Sequence, residues 1–482
     1  MDVGLRTATE LVASLRSKEL SSRELLDHYL ERVERLNPEL NAVVTLDAER
    51  ARERAVELDE RTARGDFAGP LHGLPMTVKD VFETEGVRTT SGAPELADHV
   101  PGHDAVVVER LKAAGAVIFG KTNTPLYGGD LQTYNDVFGT TNNPWDLTRT
   151  PGGSSGGAAV AMAVGLSALE CGSDIGGSAR NPAHFCGVYG HKTTHGIVST
   201  LGHIPGPPGS RVEADLGVVG PIARSASDLD LALGVLAGPS PDRSIAWRLE
   251  LPAPRHERLA DFRVAAWLDD PHAPVDGSVR MILERVADDL RAAGVKVDDA
   301  ARPVEDLAQV DAIYQRLLQG VMAGGLPQPV FDAMVAQAAS LGSDDDDARA
   351  RMIRAITQRK RDWNFADAVR HKIRARWAEF FTRFDVLLAP AACTAAFPHD
   401  HRPFEQRTIS VNGTEQPYFC HLSWAGLATA PLLPATVAPA GRTTDGLPVG
   451  VQIVGPYLED RTTIAFARLI ADVIGGFEPP PA

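Results

Sequence analysis

The feature that most constrains this chain is a pair of glycine-rich loops in its first half. The first, Gly152–Gly157 (GGSSGG), leads directly into Ala158–Val164, a small apolar run that favours a helix; the second, Asp174–Ser178 (DIGGS), follows a short strand-like run. A helix of about ten residues and a strand of about five each extend roughly 15 Å. An antiparallel helix–strand pair therefore brings both loops to one edge of a sheet, where Ser154 and Ser178 are expected to share a pocket.

The sequence outside these loops alternates between helical and strand-like texture. Ser21 and Glu24 have the spacing of a capping box at the start of an amphipathic helix that is expected to end near Pro38. Short apolar runs bounded by Gly and Pro, such as 74–78 and 116–119, indicate strands. Alternation of this kind predicts an α/β fold, with a central sheet and helices on its faces.

Length and composition predict one large domain with a substantial core. The 482 residues contain no linker-like stretch, and 44% are apolar and 23% charged. We expect a single domain over 1–482: a core at about 70–230, a helical insertion at about 240–380, and a return to the sheet at about 381–475. The helix closing the domain is expected at about 461–474, and Asp445-Gly446 indicates a hairpin turn.

Charge and cysteine usage narrow the expected partners and compartment. A net charge of −15 repels phosphate backbones and anionic lipid, so neither nucleic acid nor membrane is an expected partner. No segment has the pattern of a signal peptide or a spanning helix. The four cysteines are scattered, which is typical of a reduced, cytoplasmic protein.

Two facing serines need a base, and the chain offers two kinds of candidate. His184, His191 and His195 follow the second loop but do not share a helix, so we interpret them as structural, leaving a Ser/His/Asp hydrolase as an alternative. Lys79 ends the apolar run Leu74–Val78. Burial there would lower its pKa enough for the amine to act as a base near pH 7.

The chain resembles a known family, the amidase-signature serine hydrolases, which use a Ser–cis-Ser–Lys arrangement. The resemblance covers most of the chain outside about 240–380. It is carried by Gly73–Asp80 (GLPMTVKD), both glycine-rich loops, Arg180, Pro182, Gly187, Gly190, Lys192, Gly220–Arg224 and Gly446–Gly450. The resemblance implies a mixed central sheet flanked by helices on both faces.

The resemblance also implies a role for each matching residue. Ser178 would be the nucleophile, Ser154 the proton relay after a cis Gly153–Ser154 bond, and Lys79 the base. The oxyanion would be held by backbone N–H groups of Ile175, Gly176, Gly177 and Ser178. Ser155, as a hydrogen-bond partner of Lys79, together with Asp174 and Arg180, would support the site. No metal or cofactor is implied.

Two positions depart from the family pattern and concern the shape of the pocket. The chain has Lys192-Thr193-Thr194 where members usually have Lys-Pro-Thr, and small Ala179 follows the nucleophile. Four residues near the loops are our candidates for the pocket walls, with ordinary core or loop positions as the alternative: Tyr127, Gly153, Ile204 and Pro205.

Other patterns suggest different chemistry, but their context does not support it. Gly115–Thr122 matches the phosphate-loop pattern, yet its interior is strand-like and Pro125 does not suit the helix that should follow. His399-Asp400-His401 lacks a third metal ligand at a sensible spacing. Cys393, and Cys420 with His421, lack the oxyanion loop that a thiol hydrolase needs.

The predicted function is hydrolysis of small-molecule amides through an acyl-enzyme on Ser178. Anilides, acylated amines and carbamates (urethanes) are candidate substrates, with esters as a possible side activity. The alternative is the glutaminase subunit of a tRNA-dependent amidotransferase, although the proline-rich stretch within Gly196–Gly220 does not resemble the segment associated with such subunits. A non-enzymatic scaffold is a further alternative, and the family suggests a homodimer.

Overall fold

The computed structural model describes residues 2–204 and 211–481. Its helices are α1 (Ala8–Arg16), α2 (Ser22–Leu40), α3 (Ala48–Ala63), α4 (Val106–Ala113), α5 (Gly156–Ala163), α6 (Arg180–Cys186), α7 (Ala226–Leu236), α8 (Gly277–Ala292), α9 (Leu307–Met322), α10 (Gln328–Ser340), α11 (Ala348–Ile356), α12 (Lys360–Arg383), α13 (His421–Thr429) and α14 (Asp460–Ile474). Its strands are β1 (Val43–Leu46), β2 (Pro75–Lys79), β3 (Val117–Thr122), β4 (Tyr134–Asn135), β5 (Gly139–Thr140), β6 (Glu170–Asp174), β7 (Tyr189–Lys192), β8 (Val218–Ala223), β9 (Arg263–Ala266), β10 (Lys296–Asp298), β11 (Val386–Pro390), β12 (Thr408–Val411), β13 (Thr414–Pro417), β14 (Ala435–Arg442) and β15 (Pro448–Val454).

One large sheet forms the centre of the molecule. Its 11 strands follow the order β1-β3-β2-β6-β8-β7-β14-β15-β11-β9-β10. The neighbours β3, β2 and β6 are parallel, as are β11, β9 and β10, and the remaining pairs are antiparallel. The predicted α/β fold with a mixed central sheet flanked by helices is confirmed.

The central strands are covered on both faces. Every residue of β2, β3 and β6 is buried, which is the pattern expected when helices pack on both sides of a parallel segment. Charged residues on these strands therefore have no direct access to water. Three of them are Lys79, Lys121 and Glu170, each fully buried.

Several local predictions are confirmed, with small shifts of boundary. Ser21 and Glu24 form the capping box of α2. That helix continues through Pro38 to Leu40, so the proline does not end it. Gly115–Thr122 contains β3 and is not a phosphate loop, and Asp445-Gly446 lies in the β14–β15 connection. Within the described residues, no helix is long and apolar enough to cross a membrane.

The expected helical insertion at about 240–380 needs correction. It contains β9 and β10, which extend the main sheet beside β11. Both are short, four and three residues, and β10 is largely exposed at the sheet edge, so their periodicity is too brief to detect in the sequence. Helix α8, between β9 and β10, and helices α9 to α12, after β10, are helical as predicted.

Candidate active site

The two glycine-rich loops meet at one edge of the sheet, as predicted. Helix α5 begins at Gly156, within the first loop, and β6 ends at Asp174, where the second loop begins. The Ser155 N–H donates a hydrogen bond to the Ser178 carbonyl oxygen at 3.0 Å, which joins the loops directly. The Gly153–Ser154 peptide bond is cis.

Lys79 reaches these loops from β2, the strand beside β6. It is the last residue of β2, and its side chain has no exposed surface. Its Nζ donates to Ser154 Oγ at 2.6 Å and to Ser173 Oγ at 3.1 Å. The structure therefore brings Lys79 into contact with Ser154. The loop that carries Ser154 is hydrogen-bonded to the loop that carries Ser178.

Burial controls the protonation of Lys79. Loss of hydration lowers its pKa from 10.5 to about 7, against the opposing effect of the carboxylates of Asp174 and Glu170. A substantial fraction of the amine is then neutral near pH 7, and only a neutral amine can accept a proton. When the amine is neutral, its hydrogen bond with Ser154 can carry a proton from the Ser154 hydroxyl to Nζ.

Asp174 and Arg180 hold the shape of the second loop. The Asp174 carboxylate accepts the N–H groups of Gly177 at 3.0 Å and Ala179 at 3.1 Å. Arg180 donates to both of its oxygens, from Nε at 3.0 Å and from Nη2 at 2.8 Å. Burial alone would raise the pKa of Asp174. The Arg180 guanidinium outweighs this effect and holds the pKa of Asp174 below its usual value.

This arrangement corrects one predicted oxyanion contact. The Gly177 N–H donates to Asp174 Oδ1, so it already has an acceptor within the loop. The backbone N–H groups of Ile175, Gly176 and Ser178 remain as candidate donors. The bond spans the turn at Gly177, whose φ of +89° is a conformation that glycine adopts without strain.

The predicted contact between Ser155 and Lys79 is also absent. Ser155 Oγ instead donates to the Ser173 carbonyl oxygen at 3.3 Å, and the second hydroxyl contact of Lys79 is Ser173 Oγ. Sequence reasoning missed Ser173, although its position beside Asp174 at the end of β6 was a usable signal. It also missed Gly128: a Cβ there would lie 3.3 Å from Ser154 Oγ, so the residue must be small.

The predicted pocket residues have varied environments. Tyr127 is half-buried beside Gly128, and its hydroxyl donates to Glu95 at 2.5 Å. Gly153 packs against backbone, since a Cβ there would lie 2.5 Å from the Asp130 carbonyl oxygen. Ile204 is buried, with 2% of its surface exposed, and its role as a pocket wall stays a prediction. Pro205 lies outside the described residues.

The three histidines have structural partners. The His184 ring lies between the backbone of Thr394 and Gly450, and the His191 ring contacts Thr436 and Asp460. The His195 ring contacts the Ala214 carbonyl oxygen. These partners hold all three rings without Ser154 or Ser178, so the geometry favours Lys79 as the base.

Comparison with known proteins places the chain in a family. The family model described as Amidase matches residues 24–464. The chain therefore belongs to the amidase family, the amidase-signature hydrolases that the motifs resemble.

Individual relatives within this family differ in their described roles. The chain is 34% identical to a glutamyl-tRNA(Gln) amidotransferase subunit from Moorella thermoacetica, over 95% of each chain. Among solved structures, it is similar to a bacterial aryl acylamidase of the amidase-signature family, with a TM-score of 0.79 and 27% identity over 98% of this chain and 96% of the other. It is also similar to the corresponding amidotransferase subunit from Thermotoga maritima, with a TM-score of 0.76 and 25% identity over 100% and 98%.

Proposed function

We propose that this amidase-family chain cleaves the C–N bond of small carboxylic amides through an acyl-enzyme on Ser178. One observation carries the proposal: a fully buried lysine, with its pKa lowered to about 7, lies 2.6 Å from Ser154 Oγ. The hydrogen bond from Ser155 N–H to the Ser178 carbonyl ties that pair to the nucleophile loop.

The proposed reaction has two steps. Ser178 Oγ bonds to the substrate carbonyl carbon; its proton passes to Ser154, and the Ser154 proton passes to neutral Lys79. The N–H groups of Ile175, Gly176 and Ser178 would stabilise the oxyanion. Collapse breaks the C–N bond as the relay returns a proton to the leaving amine. Water then attacks the acyl-enzyme and releases the carboxylic acid.

The relatives bear on whether this chemistry serves a glutaminase subunit or a stand-alone hydrolase. The amidotransferase subunits favour the glutaminase alternative, in which the amide is that of glutamine and the ammonia passes to a partner. The aryl acylamidase supports the stand-alone hydrolase with anilide substrates, and carbamates remain a proposal within it. The net charge of −15 disfavours direct contact between this chain and RNA.

The catalytic assignment is tested by labelling. A fluorophosphonate should add once to the intact protein, at Ser178 by peptide mapping, and abolish turnover. Ser178→Ala should lose the adduct and lower amide turnover by at least about 10³-fold. An unlabelled protein with full activity, or an active Ser178→Ala, would refute the assignment.

Substrate choice needs a separate panel with the same enzyme. Ammonia release from glutamine, aniline release from anilides and aryl carbamates, and co-purification of partner chains should be measured together. Glutaminase activity that rises with a co-purified partner would select the amidotransferase role, whereas anilide or carbamate turnover by the isolated chain would select the hydrolase. Sedimentation of the purified chain tests the proposed homodimer.

A further inference from the structure

Tyr314 connects the helical segment after β10 to the second glycine-rich loop. It lies on α9 and is fully buried. Its hydroxyl donates a hydrogen bond to the Ile175 carbonyl oxygen at 2.8 Å, between residues 139 positions apart in the sequence. The catalytic steps above assign no role to this contact.

The bonded carbonyl belongs to the same peptide unit as a candidate oxyanion donor. The Ile175 C=O and the Gly176 N–H lie at opposite ends of one planar peptide group. A hydrogen bond that holds the oxygen therefore fixes the direction of the N–H. It also polarises the group, which strengthens the N–H as a donor.

The packing around this contact is close enough to define its geometry. A Cβ on Gly176 would lie 3.5 Å from Tyr314 Oη and 2.9 Å from Leu422 Cδ2. On the other side, the ring lies against the bare backbone of α13, where a Cβ on Gly426 would be 2.5 Å from Tyr314 Cδ1. The ring therefore has little room to move.

The phenol stays a donor over the working pH range. Burial raises the pKa of Tyr314 well above its ordinary value, despite the opposing effect of the Arg180 guanidinium. The hydroxyl is therefore protonated wherever Lys79 titrates.

We propose that Tyr314 is a positioning residue for amide cleavage: its hydroxyl orients the Ile175–Gly176 peptide so that the Gly176 N–H is directed at the developing oxyanion. This inference rests on the proposed function. It gives the segment between β10 and β11 a defined role, since α9 supplies a side chain that acts on the reaction through the second loop.

The test is Tyr314→Phe, which keeps the ring against Gly426 and removes only the hydroxyl. Complete loss of an oxyanion donor costs about 10²–10³ in rate, so loss of its orientation should lower kcat by about tenfold. The inhibition constant of a boronic acid, which forms a tetrahedral adduct on Ser178, should rise by a similar factor. Substrate affinity, measured in the Ser178→Ala background with and without Tyr314→Phe, should not change.

The matched control is Tyr29→Phe on α2, which also removes the hydroxyl of a fully buried tyrosine. It should leave kcat and boronic acid inhibition unchanged. As a second variant, 3-fluorotyrosine in place of Tyr314 adds one small fluorine atom and makes the hydroxyl a stronger donor, so boronic acid inhibition should tighten; unchanged inhibition in the folded protein would overturn the inference. This second variant keeps the inference testable if Tyr314→Phe does not fold.

The outcomes separate this inference from the proposed function. If Ser178→Ala is inactive while Tyr314→Phe keeps wild-type kcat and boronic acid inhibition, the positioning role is wrong and the proposed function stands. A parallel loss of substrate affinity and kcat would also overturn it, because that indicates a general structural role. If Ser178→Ala remains active, the proposed function itself fails.

Discussion

Lys79 shows how one position in the fold defines the chemistry of a residue. A lysine is ordinarily protonated at neutral pH, but at the end of a strand covered on both faces its ammonium form loses its hydration. The same burial places its amine in contact with the hydroxyls of Ser154 and Ser173. Burial therefore supplies both the basicity and the geometry that the proposed relay needs.

We predict that kcat/KM falls on the acid side with a midpoint near pH 7. The pKa of Lys79 is lowered to about 7, so the base is lost as pH falls through that value, about tenfold per pH unit below it. A profile measured between pH 5 and 9 checks this. The matched control is Lys192→Met, because Lys192 is equally buried, with its pKa also lowered to about 7. The acid limb should persist in that variant, and a flat wild-type profile down to about pH 5 would contradict the assignment.

We expect the burial of Lys79 to lower the free energy of unfolding of the protein. Between pH 10.5 and about 7 the unfolded chain holds the lysine proton and the native state does not, so the free energy of unfolding falls as pH falls through this window. Lys79→Met should therefore abolish turnover yet raise the free energy of unfolding by about 2 kcal/mol at pH 8, allowing for the lost hydrogen bonds. Urea titrations at pH 8 and pH 10 measure this. A gain that does not shrink at pH 10 would contradict the explanation.

At the scale of elements, the glycines that open α5 have a packing role. A Cβ on Gly157 would lie 2.4 Å from the Asn123 nitrogen and 2.7 Å from the Ala42 carbonyl oxygen. A Cβ on Gly156 would lie 2.3 Å from Thr133 Oγ1. The first loop is therefore glycine-rich partly because its helix begins in contact with neighbouring backbone, which a side chain would push away.

We predict that Gly157→Ala lowers the free energy of unfolding by about 2–4 kcal/mol, because backbone cannot yield to the added methyl group. It should also lower turnover, since Ser154 lies in the loop just before the displaced start of α5. The control is Gly234→Ala on α7, where nothing lies within 4 Å of the added Cβ. That variant should gain up to about 1 kcal/mol from helix propensity. Thermal and urea unfolding of both variants, together with their activities, test the packing role of Gly157. Equal stabilities of the two variants would contradict that role.

The elements also show where sequence patterns succeed. Elements such as α2, β2 and β15 follow from a capping box or from apolar runs, because those signals are local. Strands β9 and β10 do not, because strands of only four and three residues become stable only through their neighbours in the sheet.

At the scale of the whole molecule, a buried ion pair ties the C-terminal hairpin region to the active-site loops. Arg407, just before β12, donates to Asp130 at 2.8 Å, and both side chains are almost fully buried at 3% and 5% exposure. The Tyr418 hydroxyl donates to the same carboxylate at 2.5 Å. The Asp130 backbone in turn packs against Gly153, so the pair supports the cis peptide loop from a distance in sequence.

We predict that Arg407→Met lowers the free energy of unfolding by about 3–5 kcal/mol, because it leaves the Asp130 carboxylate buried without its counter-charge. Adding Asp130→Asn should recover part of the loss. The pair of exposed Arg402 and partly buried Asp400 provides the control, since Arg402→Met should cost less than about 1 kcal/mol. Chemical denaturation of the four proteins gives the comparison. A double variant no better than the single one would contradict the charge explanation.

By itself, the sequence determined the family, the α/β architecture, and the residues Lys79, Ser154 and Ser178 as the candidates for catalysis. These conclusions rest on short motifs whose spacing reflects local geometry, so a linear pattern is enough to identify them. The tertiary structure decided which hydroxyl accompanies Lys79, which N–H the Asp174 carboxylate takes, and that Tyr314 reaches the Ile175 carbonyl. Each of these contacts depends on how helices and strands pack against one another. Packing joins residues as far apart as 175 and 314, and no local pattern specifies which side chains will meet.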